Sequence, residues 1–442
     1  MKKLDTLSNR TFLKIFFLCF SLCFLIAAVC MPDRGEMFSG LIKIYTNPAK
    51  VPTNYFSVGG FAATFLNMGI TGLICTALYA IPGKKADNAA TLATILTVGF
   101  AAWGINLANM WPTVLGVVLY CIVRKEKLGD NTTAMLFSTG LAPFISELML
   151  RYPNADVTGF SFGGVIAAVI VGIIVGFFLP AGLEFSPRVH KGFDLYSAAL
   201  PVGMTAFLLN TVLYKAMGLS VPDLVSDISV SSNLICNIFC ISLFALCIIF
   251  ALITGCTPRK YWSLLRDPDV VTNVTSSYGN GVMLMNTGLF GLFIILYYNL
   301  IGADFNGVTL GVVFCMLCTC NSGSHPGNVW PIMLGYAIIS TVFRLLSPVL
   351  GGEFTQFLNN QSIIIGLCYA NGLSPISDRY GWVYGMAAAM LHYCIVTTVP
   401  QLHGGMCLYN GGFTAALVCV LFVPILEKLA RTKGERHELV HK

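Results

Sequence analysis

Apolar residues in this chain run unbroken for about 20 positions at a time, the length a helix needs to cross a bilayer. Stops of Gly, Pro, Asn or charge separate the runs. Fourteen segments are predicted. The first seven are Thr11–Met31, Ser57–Ile81, Ala89–Ile105, Trp111–Val123, Thr133–Leu150, Phe160–Pro180 and Phe193–Met217. The second seven are Asn233–Thr254, Ser277–Ile301, Val308–Cys320, Val329–Leu346, Gln361–Ile376, Trp382–Pro400 and Met406–Leu426. The runs lack the in-out alternation of barrel strands, so the expected fold is all-α, a polytopic bundle whose helices satisfy their own backbone in lipid.

The pattern occurs twice. Asn109-Met-Trp111-Pro112-Thr-Val-Leu115-Gly116 returns as Asn328-Val-Trp330-Pro331-Ile-Met-Leu334-Gly335, a shift of 219 residues. Asn67, Gly69, Gly72 and Leu73 match Asn286, Gly288, Gly291 and Leu292 at the same shift. Gly140-Leu141-x-Pro143 matches Gly372-Leu373-x-Pro375 at 232, and His190, Gly192, Leu195 and Tyr196 match His403, Gly405, Leu408 and Tyr409 at 213. A colinear series of this kind indicates duplication, with repeats at 1–222 and 223–442.

Composition agrees: 56% of residues are hydrophobic and 10% charged, against roughly 25% charged in soluble domains. The net charge of +6 lies in short clusters beside apolar runs (Lys2, Lys3 and Arg10; Lys84 and Lys85; Arg124, Lys125 and Lys127; Arg259 and Lys260; Lys428, Arg431, Lys433 and Arg436). Such clusters read as topology signals, not as a nucleic-acid surface. With the termini cytoplasmic, seven spans per repeat put all these clusters inside; an odd span number makes the halves inverted, and the bacterial inner membrane is the expected location. The first 30 residues imitate a lipoprotein leader, but Val29 before Cys30 is too large for that cleavage site, so the first span is expected to stay.

Candidate chemistry gathers at the breaks. The links Gly104-Ile-Asn106-Leu-Ala-Asn109 and Gly323-Ser-His325-Pro-Gly-Asn328 read either as solute-binding elements or as tight interfacial turns. Gly-Leu-x-Pro interrupts the fifth span of each half beside Ser138 and Asn371, where a half-helix N-terminus would favour an anion. Ser146-Glu147 and Asp378-Arg379 follow at equivalent positions; Glu147 is expected to pair with Arg379 across the axis or with Arg151 one turn on, and Glu147 or Asp378 to couple transport to H⁺ or Na⁺. Asn67 and Asn286 are packing residues or solute contacts. Cys315, Cys318 and Cys320 with His325 have ligand chemistry, but their counterparts Leu96, Gly99, Ala101 and Asn106 do not, so no metal is expected. Nor is any cofactor, because no nucleotide-binding loop or hydrolase elbow occurs.

On its NxWPxxLG and Gly-Leu-x-Pro elements the whole chain resembles an uncharacterised bacterial family of multi-pass membrane proteins, a domain of unknown function; the resemblance implies no activity. The seven-plus-seven plan is similar in architecture, without shared motifs, to nucleobase and sulfate/bicarbonate transporters. Asn286-Thr-Gly288-Leu-Phe-Gly291 and Gly366-Leu-Cys-Tyr-Ala-Asn371-Gly372 partly resemble elements of urea channels, the first without its proline. The expected function is secondary transport of a small polar or anionic solute through a midplane site between the repeats, not an enzyme activity. The alternatives are a passive channel for a neutral solute such as urea and, behind it, a membrane-embedded lipid-modifying enzyme. The expected partners are the bilayer and the solute, and a homodimer is compatible with the plan.

Overall fold

The computed structural model describes residues 7–83, 87–224, 227–267 and 273–435. The charges Lys2, Lys3, Lys84, Lys85 and Arg436, on which part of the orientation rests, lie outside them. Within them the chain is helical and has no strand.

The first half runs α1 (Asn9–Cys30), α2 (Met37–Tyr45), α3 (Phe61–Leu78), α4 (Asn88–Phe100), α5 (Trp111–Arg124), α6 (Thr132–Arg151), α7 (Phe162–His190) and α8 (Ala199–Asn210). The second repeats the order as α9 (Asn233–Ile253), α10 (Pro258–Leu265), α11 (Asn280–Leu300), α12 (Gly307–Leu317), α13 (Pro326–Val349), α14 (361–380), α15 (Trp382–Val396) and α16 (Asn410–Leu429). Among the described residues eight helices are long and apolar enough to cross a membrane: α1, α3, α6, α7, α9, α11, α13 and the last, extended to Glu435. The short amphipathic α2 and α10 had no apolar run to announce them. Helix α7 continues ten residues beyond the expected stop at Pro180 and carries Pro180 and Pro187 inside it.

Equivalent local devices recur in both halves. Gly60 and Gly279 take φ of +87° and +92° immediately before α3 and α11, a left-handed turn that glycine enters at little cost. Helix α1 packs on α3 as α9 packs on α11, and α5 on α7 as α13 on α15.

The halves meet along α4 and α12. A Cβ on Gly99 would stand 2.6 Å from the Gly311 carbonyl oxygen, and a Cβ on Gly311 would collide with that of Gly99. Toward one end Asn321 donates to the Thr91 hydroxyl at 3.0 Å; toward the other, a Cβ on Gly307 would lie 2.9 Å from the Ala102 carbonyl. As one helix number rises the other falls, so the pair is antiparallel. Its middle joins Leu96 to Cys315, whose thiol approaches the Leu96 carbonyl at 3.9 Å, and these two are equivalent positions at the 219-residue shift. Each helix is short, α4 having 13 residues or about 20 Å, less than the roughly 30 Å hydrocarbon core.

Small residues make such backbone contact possible. Gly99→Ala is therefore expected to cost about 1–3 kcal/mol by overpacking, whereas Gly163→Ala, in open space, should be neutral. Thermal unfolding in detergent checks the pair.

Connections sort by contact into two sets. Val51 bonds Gly405 at 2.7 Å, Tyr55 bonds Ala102 at 3.3 Å, Gly307 bonds Asn54 at 2.9 Å, and Arg151 bonds the Asp223 carbonyl at 2.8 Å. In the other set Asn9 bonds Ser276 at 3.3 Å, Thr275 bonds Asn321 at 2.9 Å, and Lys191 pairs with Glu427 at 2.5 Å.

Candidate functional site

Where α4 and α12 end, the backbone must lose helical partners. Asn67 repairs this in the first half, its amide donating to the Ala101 and Ile105 carbonyls at 2.7 and 2.8 Å. Asn286 does the same in the second, donating to Cys320 and Ser324, both at 2.8 Å. Each such bond is worth about 1 kcal/mol net, and more where its loss would strand a buried carbonyl. Both amide hydrogens of these residues are thus committed to the chain.

The links are clamped in the same way. Asn109 accepts the Asn106 N–H at 2.9 Å and donates to the Gly104 carbonyl and the Ser146 hydroxyl, each at 2.9 Å. Asn328 accepts the His325 N–H at 2.9 Å and donates to the Gly323 carbonyl at 2.9 Å and the Asp378 carboxylate at 2.7 Å. Asn106 caps its own turn by accepting from the Ala108 and Asn109 N–H groups, and His325 caps α13 by accepting the Gly327 N–H at 3.1 Å. Beyond the exchange of Asn106 for His325, the two frames differ in that a hydroxyl at Ser146 stands where the other half has a carboxyl at Asp378, itself only 8% exposed.

Glu147 pairs with Arg151, both carboxylate oxygens accepting from the guanidinium at 2.7 Å, with side-chain exposures of 0% and 3%. It does not reach Arg379. That residue is exposed and borders a depression of about 500 Å³ with Lys191, Tyr380 and Glu427. The physical reason is placement: the end of α6 lies beside Asp223 in the first set of connections, and the end of α14 beside Lys191 and Glu427 in the second.

Helices α6 and α14 are interrupted by single 3₁₀ turns at Thr139–Leu141 and Asn371–Leu373. Ser138 bonds Thr113 and the Met135 carbonyl at 3.1 and 2.7 Å. Asn371 donates to the Thr319 hydroxyl at 2.7 Å and the Met316 carbonyl at 3.2 Å, and its buried side-chain oxygen Oδ1 has no partner among the described residues.

Each break is closed by the other half. The Gly372 carbonyl accepts the Leu195 N–H at 3.0 Å, and the Gly140 carbonyl accepts the Leu408 N–H at 3.0 Å. Tyr196 lies over Gly372, where a Cβ would meet its ring at 2.5 Å, and Tyr409 lies over Gly140. Tyr196 then donates to the Cys315 carbonyl of α12 at 2.8 Å. In the sequence these turns are the repeated Leu-Tyr after His-x-Gly, and nothing in that repeat announces that each turn caps a break in the opposite half. Asp194, in the first of them, was not singled out at all.

The cysteine group serves packing: Cys318 donates to the Cys315 carbonyl at 3.0 Å, and Cys320 lies 3.3 Å from the Thr287 hydroxyl. His392 bonds Tyr336 at 2.6 Å and the Gly411 carbonyl at 2.8 Å, tying α15 to α13 and α16.

The profile of a protein family of unknown function, DUF1576, matches residues 33–215 and 256–428, most of the chain. The chain belongs to that family. Within DUF1576 the two matched regions contain the two copies of the links, of the breaks and of the turns that cap them, which accords with an internal duplication. Comparison with curated proteins and with solved structures found no match.

Proposed function

We propose that this DUF1576 protein is a secondary transporter for a small polar or anionic solute. In this reading fourteen segments cross or enter the bacterial cytoplasmic membrane as two inverted seven-span halves, 1–222 and 223–442, with both termini in the cytoplasm. The observation that carries it is the crosswise closure of the two broken helices: each Gly-Leu-x-Pro break is capped through one backbone hydrogen bond and one tyrosine by the opposite half.

Two equivalent closures give two gates, one for each face. A single buried hydrogen bond contributes about 1 kcal/mol net, so lifting one cap while the other stays seated lies within the few kcal/mol over which two conformations remain populated. Opening at Gly372 would expose Asn371 and the frame of Asn328, His325 and Asp378; opening at Gly140 would expose Ser138 and the frame of Asn106, Asn109 and Ser146. The backbone contact of Gly99 with Gly311 fills the centre between them, which favours a gated carrier over a standing pore. Asn67 and Asn286 hold the ends of the short helices in place through either movement.

Substrate should stabilise the protein, by about 2.7 kcal/mol at a hundred times Kd. A thermal-unfolding screen of the purified protein against pooled metabolites, followed by counterflow in proteoliposomes, tests the reading. At least one polar solute should raise the melting temperature and be taken up in a gradient-dependent way. Uptake indifferent to every ion gradient would identify a channel, and turnover of lipid in detergent an enzyme.

A further inference from the structure

The turns that cap the two breaks share His-x-Gly and Leu-Tyr, but only the first carries an acidic side chain. In the turn that caps Gly372, Asp194 Oδ1 accepts the Tyr196 N–H at 2.8 Å; in the turn that caps Gly140 the same position is Cys407. Asp194 is 2% exposed, and its Oδ2 has no partner among the described residues. A Cβ on Gly372 would lie 2.9 Å from its Oδ1, so the carboxyl sits at the seam between the halves.

The titratable groups that face it are His190 of α7, Cys419 of α16 and Tyr196 in its own turn. His190 Nδ1 accepts the Asp194 N–H at 3.3 Å, and its Nε2 is bonded to the Ser197 hydroxyl at 2.8 Å. Cys419 is buried. Among the described residues the ion pairs are Arg124 with Glu126, Arg151 with Glu147 and Lys191 with Glu427, so no cation pairs with Asp194. A buried carboxylate with one oxygen unpartnered and no counter-ion is costly, and protonation removes the charge.

We propose that Asp194 is the proton-binding site of the transport cycle, protonated while the Leu195–Tyr196 turn is docked on Gly372 and deprotonated when the turn lifts into water. One O–H bond forms on the carboxyl with a proton taken from water at that face, and the same bond breaks when the turn opens; nothing is oxidised or reduced. The docked form binds the proton more tightly than the open form, so docking is favoured at low pH and lost as pH rises through the docked pKa. The coupling role rests on the transporter reading; proton binding by the docked turn does not.

The test is pH-dependent infrared difference spectroscopy on the full chain in lipid, with hydrogen exchange of residues 191–198 corrected for intrinsic rates. Asp378 is a second buried carboxyl, so the band assigned to Asp194 is the one in the wild-type minus Asp194→Asn difference. That difference should contain a protonated-carboxyl band that titrates with pH, and wild type should show at least a tenfold fall in protection on the alkaline side. The difference band should be the same against Asp194→Cys, which copies the folded counterpart at Cys407, and the fall in protection should vanish in both variants. Wild-type and variant spectra that titrate identically, or a fall in protection that persists in both variants, would overturn the proposal. So would suppression of the band by sodium chloride relative to choline chloride at fixed pH, which would assign the site to a metal cation. Failure of the transporter reading would show separately, as the absence of any stabilising solute while the band is present.

Discussion

Arg151→Met is expected to destabilise the protein by about 3–5 kcal/mol, because it strands Glu147 as a buried charge. The carboxylate has no exposure of its own and receives both its hydrogen bonds from Arg151. The same substitution frees the Asp223 carbonyl, which Arg151 holds at 2.8 Å, and so loosens the segment joining the halves. The double variant Glu147→Leu/Arg151→Leu should recover most of the loss, since removing both charges removes the desolvation cost along with the attraction. Equilibrium unfolding of the single and double variants measures this. A double variant as unstable as the single one would mean that the segment joining the halves, not the ion pair, carries the effect.

The second large effect is expected at the breaks. Gly372→Ala places a methyl group 2.5 Å from the Tyr196 ring and 2.9 Å from Asp194 Oδ1, and so pushes the first turn off its seat. Overpacking of this kind costs about 1–3 kcal/mol, which in a two-state gate is roughly a five- to 150-fold shift toward the open form. Gly140→Ala should do the same to the Tyr409 turn. Hydrogen exchange should rise at 191–198 in the first variant and at 403–409 in the second, with the opposite turn protected in each. Loss of protection at both turns in either variant would show that the two closures are not independent gates.

Much of this was open to sequence reasoning because duplication doubles every signal. The 219-residue shift located the equivalent pair α4 and α12, the links that follow them, and Asn67 with Asn286. Helical spacing offered Arg151 as one of two partners for Glu147, beside Arg379. What escaped was what those polar residues bind. The amides of Asn67 and Asn286 hold main-chain carbonyls 34 and 38 residues away, and a carbonyl carries no residue identity for a pattern to detect. The caps at Gly140 and Gly372 escaped for the same reason, being backbone hydrogen bonds between halves. Helix α7 ran past Pro180 because proline is tolerated in membrane helices, where neighbours satisfy the freed backbone groups.

The inverted relation of the halves is most directly tested by sided cysteine labelling. Lys127→Cys, after α5, and Glu353→Cys, after the equivalent α13, are introduced separately into protein whose exposed native Cys19, Cys30 and Cys394 are replaced by serine. With a membrane-impermeant maleimide and right-side-out vesicles, Glu353→Cys should label in intact vesicles and Lys127→Cys only after lysis. Labelling of both cysteines from the same side would contradict the inverted halves and, with them, the paired gates.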